Sequence, residues 1–177
     1  GTDGIKIADL GRSSKLGRLS LIDGLPVAGD RGYSPPELLY GYILPDWNAR
    51  RFGTDLYMLG GLVTFFVAQQ SVTSMILSKL PVGLKPGQCD FQTVLPIWRH
   101  EFATVLDQIE SQLTPDLDQR TVRGIISTIE YLCEPEAELR GHPGERSPNL
   151  LQHDLRRFVA EFSFLSKRID LQITSGN

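Results

Sequence analysis

Four separated segments carry most of the residues whose type and spacing could do chemistry. The first, Lys6-Ile7-Ala8-Asp9-Leu10-Gly11, sets a carboxylate in front of a glycine at the end of a short alternating run. The second is Gly29-Asp30-Arg31-Gly32-Tyr33-Ser34-Pro35-Pro36-Glu37, and the third is Gly53-Thr54-Asp55-Leu56-Tyr57-Met58-Leu59-Gly60-Gly61. The fourth runs from Cys133-Glu134-Pro135 to Leu139-Arg140-Gly141-His142-Pro143. Taken alone, Asp9 reads as an ordinary turn aspartate, and Thr54 or Asp55 as a helix cap whose oxygen accepts from free backbone amides. Ser13, Ser14 and Ser20 stand beside Arg12, Lys15 and Arg18. They read either as a solvated polar loop or as sites where an added phosphate would pair with arginine. Other chemistries find less support. His100, His142 and His153 are scattered, Cys89 and Cys133 lack the paired spacing of a zinc or redox motif, and no glycine-rich phosphate loop or nucleophile elbow is present. The aromatic residues are spaced like core residues rather than base-stacking platforms.

In order and spacing, the four segments resemble the lower half of a eukaryotic-type (Ser/Thr) protein kinase domain, over about residues 3 to 145. The resemblance implies that Asp9, with Gly11 behind it, belongs to the family's metal-binding triplet, here Asp-Leu-Gly, and would hold the magnesium that bridges the ATP phosphates. It implies that residues 12–37 are the activation segment, carrying Ser13, Ser14, Ser20 and Asp30. Such kinases usually place a threonine where Asp30 stands, and a carboxylate beside a catalytic aspartate would repel it or share its proton. Pro35-Pro36-Glu37 resembles the signature that closes this segment, and Arg140 resembles the arginine that pairs with its glutamate in a fork-to-carboxylate geometry. Asp55 resembles the aspartate at the start of the family's central helix. The chain begins only eight residues before Asp9. The upper lobe, the phosphate-binding lysine and the catalytic loop are therefore expected to be missing, with no catalytic residue within this chain.

These residues need elements to position them. Ile5 to Ala8 alternates and suits a short strand. Residues 12–32 hold four glycines and little periodicity, a loop long enough to be functional. Pro35-Pro36-Glu37 starts a short helix, proline being harmless at the first position, and residues 41–52 look like an irregular connection. From Thr54 the pattern is helical and apolar on nearly all sides, so that helix is expected at the centre, running through Leu59, Leu62 and Phe65. Val72, Met75, Ile76 and Leu80 continue it or form another helix, and residues 81–88 break the chain. Residues 91–113 carry one long apolar stripe, residues 121–132 a second amphipathic helix, and residues 149–171 one long or two short helices with Leu150, Leu151, Leu155, Phe158, Val159, Phe162 and Leu165 inward.

With 177 residues the chain is long enough for one ordinary domain, and 41% hydrophobic with 22% charged residues is a globular composition. A net charge of −3 gives no general attraction to nucleic acid or an anionic membrane. The most apolar run, from Tyr57 to Ala68, would span about 18 Å as a helix against a bilayer core of about 30 Å, so it reads as a core helix. The expectation is a mainly α chain, the helical C-terminal lobe of a protein-kinase-like fold with a short β element at its N-terminus. Its parts are 1–11 with the triplet, 12–37 as activation segment and 38–177 as helical bundle. The complete domain would use ATP and magnesium, while this piece alone would bind neither and would be inactive. Expected partners are the missing half or a second copy, and a protein substrate or binding partner, with no nucleic acid and no membrane, in a cytoplasmic setting. The alternative is a pseudokinase or helical scaffold lobe.

Overall fold

The computed structural model describes residues 14–18, 29–145 and 152–175. The expected strand at Ile5 to Ala8, the triplet with Asp9 and Gly11, Ser13, Ser20, Leu150 and Leu151 lie outside the described residues. Those that are described are mainly helical: α1 (Pro36–Leu39), α2 (Trp47–Ala68), α3 (Val72–Lys79), α4 (Phe91–Leu113), α5 (Gln119–Leu132) and α6 (Arg156–Ser175), with single 3-10 turns at Arg31–Tyr33, Val82–Leu84 and Pro143–Glu145.

The helices start where side chains satisfy the first backbone amides. Ser71 caps α3, Asp90 caps α4 and Asp118 caps α5, each carrying an oxygen that accepts from an amide of the first turn. The helix expected from Thr54 begins earlier, at Trp47. Asp46 accepts from the Ala49 amide at 2.7 Å and is the true cap, so Thr54 and Asp55 fall within the helix. Thr54 Oγ1 donates back to the Arg50 carbonyl at 2.7 Å, and Asp55 is exposed. The extension was hidden because its inward positions are the small residues Ala49 and Gly53, which add little to an apolar period.

α2 is also not buried all round. Leu56, Tyr57, Gly60, Gly61 and Thr64 face the interior, while Leu62 is 44% and Phe66 72% exposed. The contact side is made by small residues because α5 crosses there closely: a Cβ on Gly60 would lie 2.4 Å from Cys133 Sγ and 2.8 Å from Leu132 Cβ. The chain then bends by 80° between α2 and α3. Among the described residues no single helix is long and apolar enough to cross a membrane.

α4 matches its expected bounds and buries Phe91, Val94, Leu95, Trp98, Phe102, Val105 and Ile109. α5 lies against α2, α4 and α6, while α4 meets α1, α2, α3 and α5. Its Val122, Ile125, Ile129 and Leu132 are buried. α6 packs Leu165 onto Gly124 and buries Phe158, but Leu155 and Val159, expected inward, are 48% and 60% exposed. The face that docks follows Phe158, Phe162, Leu165 and Ile169, which leaves 155 and 159 turned away.

Candidate functional site

The best-formed polar constellation surrounds Arg140, in the loop after α5. Its Nη1 donates to Glu37 Oε1 at 2.9 Å and its Nη2 to Glu37 Oε2 at 3.1 Å, joining residues 103 apart in sequence. Glu37 is placed by the prolines before it, which start α1 so that its second residue points inward. Both side chains are out of solvent, at 0% and 1% exposure. Charges so deeply buried are tolerated only when every donor finds an acceptor. Here Nη1 also reaches the Gly53 carbonyl at 2.9 Å, Nε the Glu134 carbonyl at 2.8 Å, and the Tyr57 ring lies 4.9 Å from the guanidinium carbon. Burial alone would lower the pKa of Arg140, but the charge and hydrogen bonds of Glu37 outweigh it and hold the guanidinium above its ordinary value. Burial pushes the Tyr57 phenol and the neighbouring Cys133 thiol up, the thiol to about 12, so Cys133 carries no reactive thiolate.

A second set of bonds ties residues 30–34 to the start of α3. Thr73 Oγ1 donates to the Ser34 carbonyl at 2.9 Å and lies 3.2 Å from the Tyr57 hydroxyl, which connects this segment to the Arg140 cluster. Ser71 Oγ donates to the Gly32 carbonyl. Asp30 is exposed and caps its own 3-10 turn, accepting from the Gly32 amide at 2.8 Å. Asp55 is exposed in the third turn of α2, near Arg51 one turn before it. Ser14 is half-buried at the start of a tight turn in which the Arg18 amide bonds to the Lys15 carbonyl at 3.1 Å.

Of the residues singled out from sequence, the structure thus joins Glu37 and Arg140, keeps Asp30 and Asp55 apart from them, and describes nothing around Asp9, Gly11, Ser13 and Ser20. Gln152 and His153 were not picked out as part of this site. Gln152 Nε2 donates to the Arg140 carbonyl at 2.9 Å. The only sequence trace of that contact is Gly141, at φ +113°, where a Cβ would lie 2.3 Å from the Gln152 carbonyl oxygen.

Farther along α2, this helix with α5 and α6 forms an open groove of about 530 Å³, lined by Val63, Phe66, Ile125, Phe162, Leu165 and Ile169 among others. Among the described residues no group of three or more His, Cys, Asp or Glu side chains is arranged to hold a metal ion. No family model, curated protein or solved structure matches this chain.

Proposed function

We propose that the chain is the helical C-terminal part of a protein-kinase-like phosphotransferase, which in its complete form passes the ATP γ-phosphate to a Ser/Thr hydroxyl of a protein. The observation that carries this reading is the buried, bidentate Glu37–Arg140 pair, anchored on the Gly53 carbonyl and Tyr57 of α2. It clamps the end of residues 12–37 onto the helices, as a kinase-like domain needs in order to present an ordered platform to its substrate. Asp9 would supply the magnesium ligand. The phosphate-binding lysine and the catalytic aspartate would come from residues outside this chain. Catalysis of this class rests on positioning and charge neutralisation. The clamp is a positioning device and no part of the chemistry.

The reading is tested by measuring label transfer from ATP with magnesium to generic protein substrates, for the chain alone and when joined to an upstream half. No turnover is expected for the chain alone. Turnover of the joined protein that disappears in Asp9→Asn supports the proposal. Magnesium-dependent turnover by the isolated chain, or a joined protein indifferent to Asp9→Asn, overturns it.

A second reading, a pseudokinase or scaffold lobe, is favoured by two observations. Asp30 is engaged as the cap of its own turn, and the groove between α2, α5 and α6 is an apolar surface fit for a protein partner. A joined protein that binds a partner through this groove and never turns over ATP would decide for it.

A further inference from the structure

His153 sits where three parts of the chain meet. Its ring donates through Nδ1 to the Ala137 carbonyl, while Nε2 is buried with no hydrogen-bond partner. An atom placed as Cβ on Gly53 would be 3.5 Å from His153 Nε2 and 3.6 Å from Arg140 Nη1, so imidazole and guanidinium share the space above Gly53. The residue before it, Gln152, bonds to the Arg140 carbonyl, and α6 begins three residues after it at Arg156. Residues 152–154 thus form a strap that lies over the Arg140 cluster and leads directly into α6.

We propose that His153 is an acid-sensitive latch: its neutral ring keeps the strap seated on the Glu37–Arg140 clamp, and protonation releases the strap and the first turn of α6. The charged groups around the ring give the reason. From the loop after α5, Arg140 is a permanent cation beside the ring, and Glu37 of α1 is already held by both of that guanidinium's terminal nitrogens. From the start of α2, Asp46 attracts a proton to the ring, but its Oδ1 already accepts from the Ala49 amide. Within the strap, Asp154 is bonded to Arg156. A proton on Nε2 would therefore add a second positive charge next to Arg140 and a buried N–H donor with no acceptor.

Burial, with the Arg140 charge, holds the imidazole below its ordinary value of 6.5 despite the opposing pull of the Ala137 carbonyl and Asp46. A histidine whose folded value is depressed contributes its stabilisation above the unfolded value and loses it as pH falls from 6.5 through the folded value. The seated strap is expected at neutral pH and its release in mild acid. The inference does not depend on the phosphotransfer reading.

The test is amide hydrogen exchange on the whole chain between about pH 7.5 and 5, expressed as protection after correction for intrinsic rates. The Gly141 amide and the first turn of α6 should lose protection about tenfold for every pH unit separating the folded titration of His153 from 6.5. α4 should not change. His153→Gln should abolish the acid-dependent loss, and His142→Gln, whose ring instead packs between Tyr131 and Phe158, should keep it. An NMR titration of the unsubstituted chain gives an independent readout should His153→Gln fail to fold. A His153 titration at or above 6.5, the same pH dependence in His153→Gln, or its loss in His142→Gln would each overturn the proposal.

Discussion

Arg140 has five N–H donors and no way to lose its charge at ordinary pH, so its burial depends on the acceptors around it. Glu37→Gln removes the compensating charge, and Arg140→Leu strands Glu37. Each is expected to destabilise the chain by about 3–5 kcal/mol in denaturant unfolding, because the remaining charge stays buried without its partner. Arg140→Lys is expected to cost nearly as much, since an ammonium cannot reach Glu37, Gly53 and Glu134 at once. Unfolding of either charge-removing variant within about 0.5 kcal/mol of the parent would show that the clamp does not anchor residues 30–37. Tyr57→Phe keeps the ring against Arg140 and removes only the hydroxyl that meets Thr73. About 1 kcal/mol is expected, the usual net worth of one hydrogen bond. Glu37 and Arg140 were expected as a pair through the resemblance of their two segments to the kinase family's, and the complementarity of a fork and a carboxylate gives that pairing its physical reason. Tyr57, Gly53 and Gln152 were not, since two of the contacts they make to Arg140 use backbone carbonyls, a group every residue has.

At the scale of elements, α5 is held by its cap and by a crossing without spare room. Asp118 accepts from the Arg120 and Thr121 amides, from Thr121 Oγ1, and from Arg168 of α6. These bonds, the Thr121 hydroxyl first, hold its carboxyl down to about 2. A carboxylate whose folded value is depressed stabilises above its unfolded value of 3.8 and loses that contribution as pH falls through about 2. Asp118→Asn should therefore flatten the acid limb of the stability curve between those two values and leave its neutral region sloping as before. An unchanged acid limb would mean the cap is not formed in solution. Gly60→Ala is expected to cost about 1–3 kcal/mol, because its Cβ would meet Cys133 Sγ at 2.4 Å. The cost should shrink in a Cys133→Ala background and vanish only partly, as Leu132 Cβ at 2.8 Å remains. Additive effects would place the α2–α5 crossing elsewhere. Helix periods were readable for α4 and α5, whose stripes are built from large apolar residues. The first turns of α2 were not, because a helix face built from alanine and glycine gives no hydrophobic signal.

For the molecule as a whole, the exposed side of α2 and the groove it forms with α5 and α6 put Phe66, Leu62 and Phe65 in water. An apolar surface of this kind favours burial against a further chain, either the proposed missing half or a second copy. Self-association that rises with concentration is expected for the chain alone, by sedimentation or light scattering, and should weaken in Phe66→Ser. A strictly monomeric chain at every concentration would count against that surface being a contact face. Leu62 and Phe65 were expected at the centre of the bundle because the third segment is apolar all round, a pattern that does not say which side meets another helix.

Periodicity along the chain was sufficient for a mainly helical architecture and for the bounds of α4, since it is a local property of residues and their spacing. The pairing of Glu37 with Arg140, 103 residues apart, was expected only through the resemblance of their segments to a known family. Tertiary structure alone decided the rest. It set which side of α2 is buried, since that depends on α5 approaching over Gly60, and which face of α6 docks, since Leu155 and Val159 are as apolar as Phe158 and Leu165. It also placed His153 beside Arg140. A close approach between distant segments is governed by backbone paths and small residues, and neither leaves a periodic trace in one dimension.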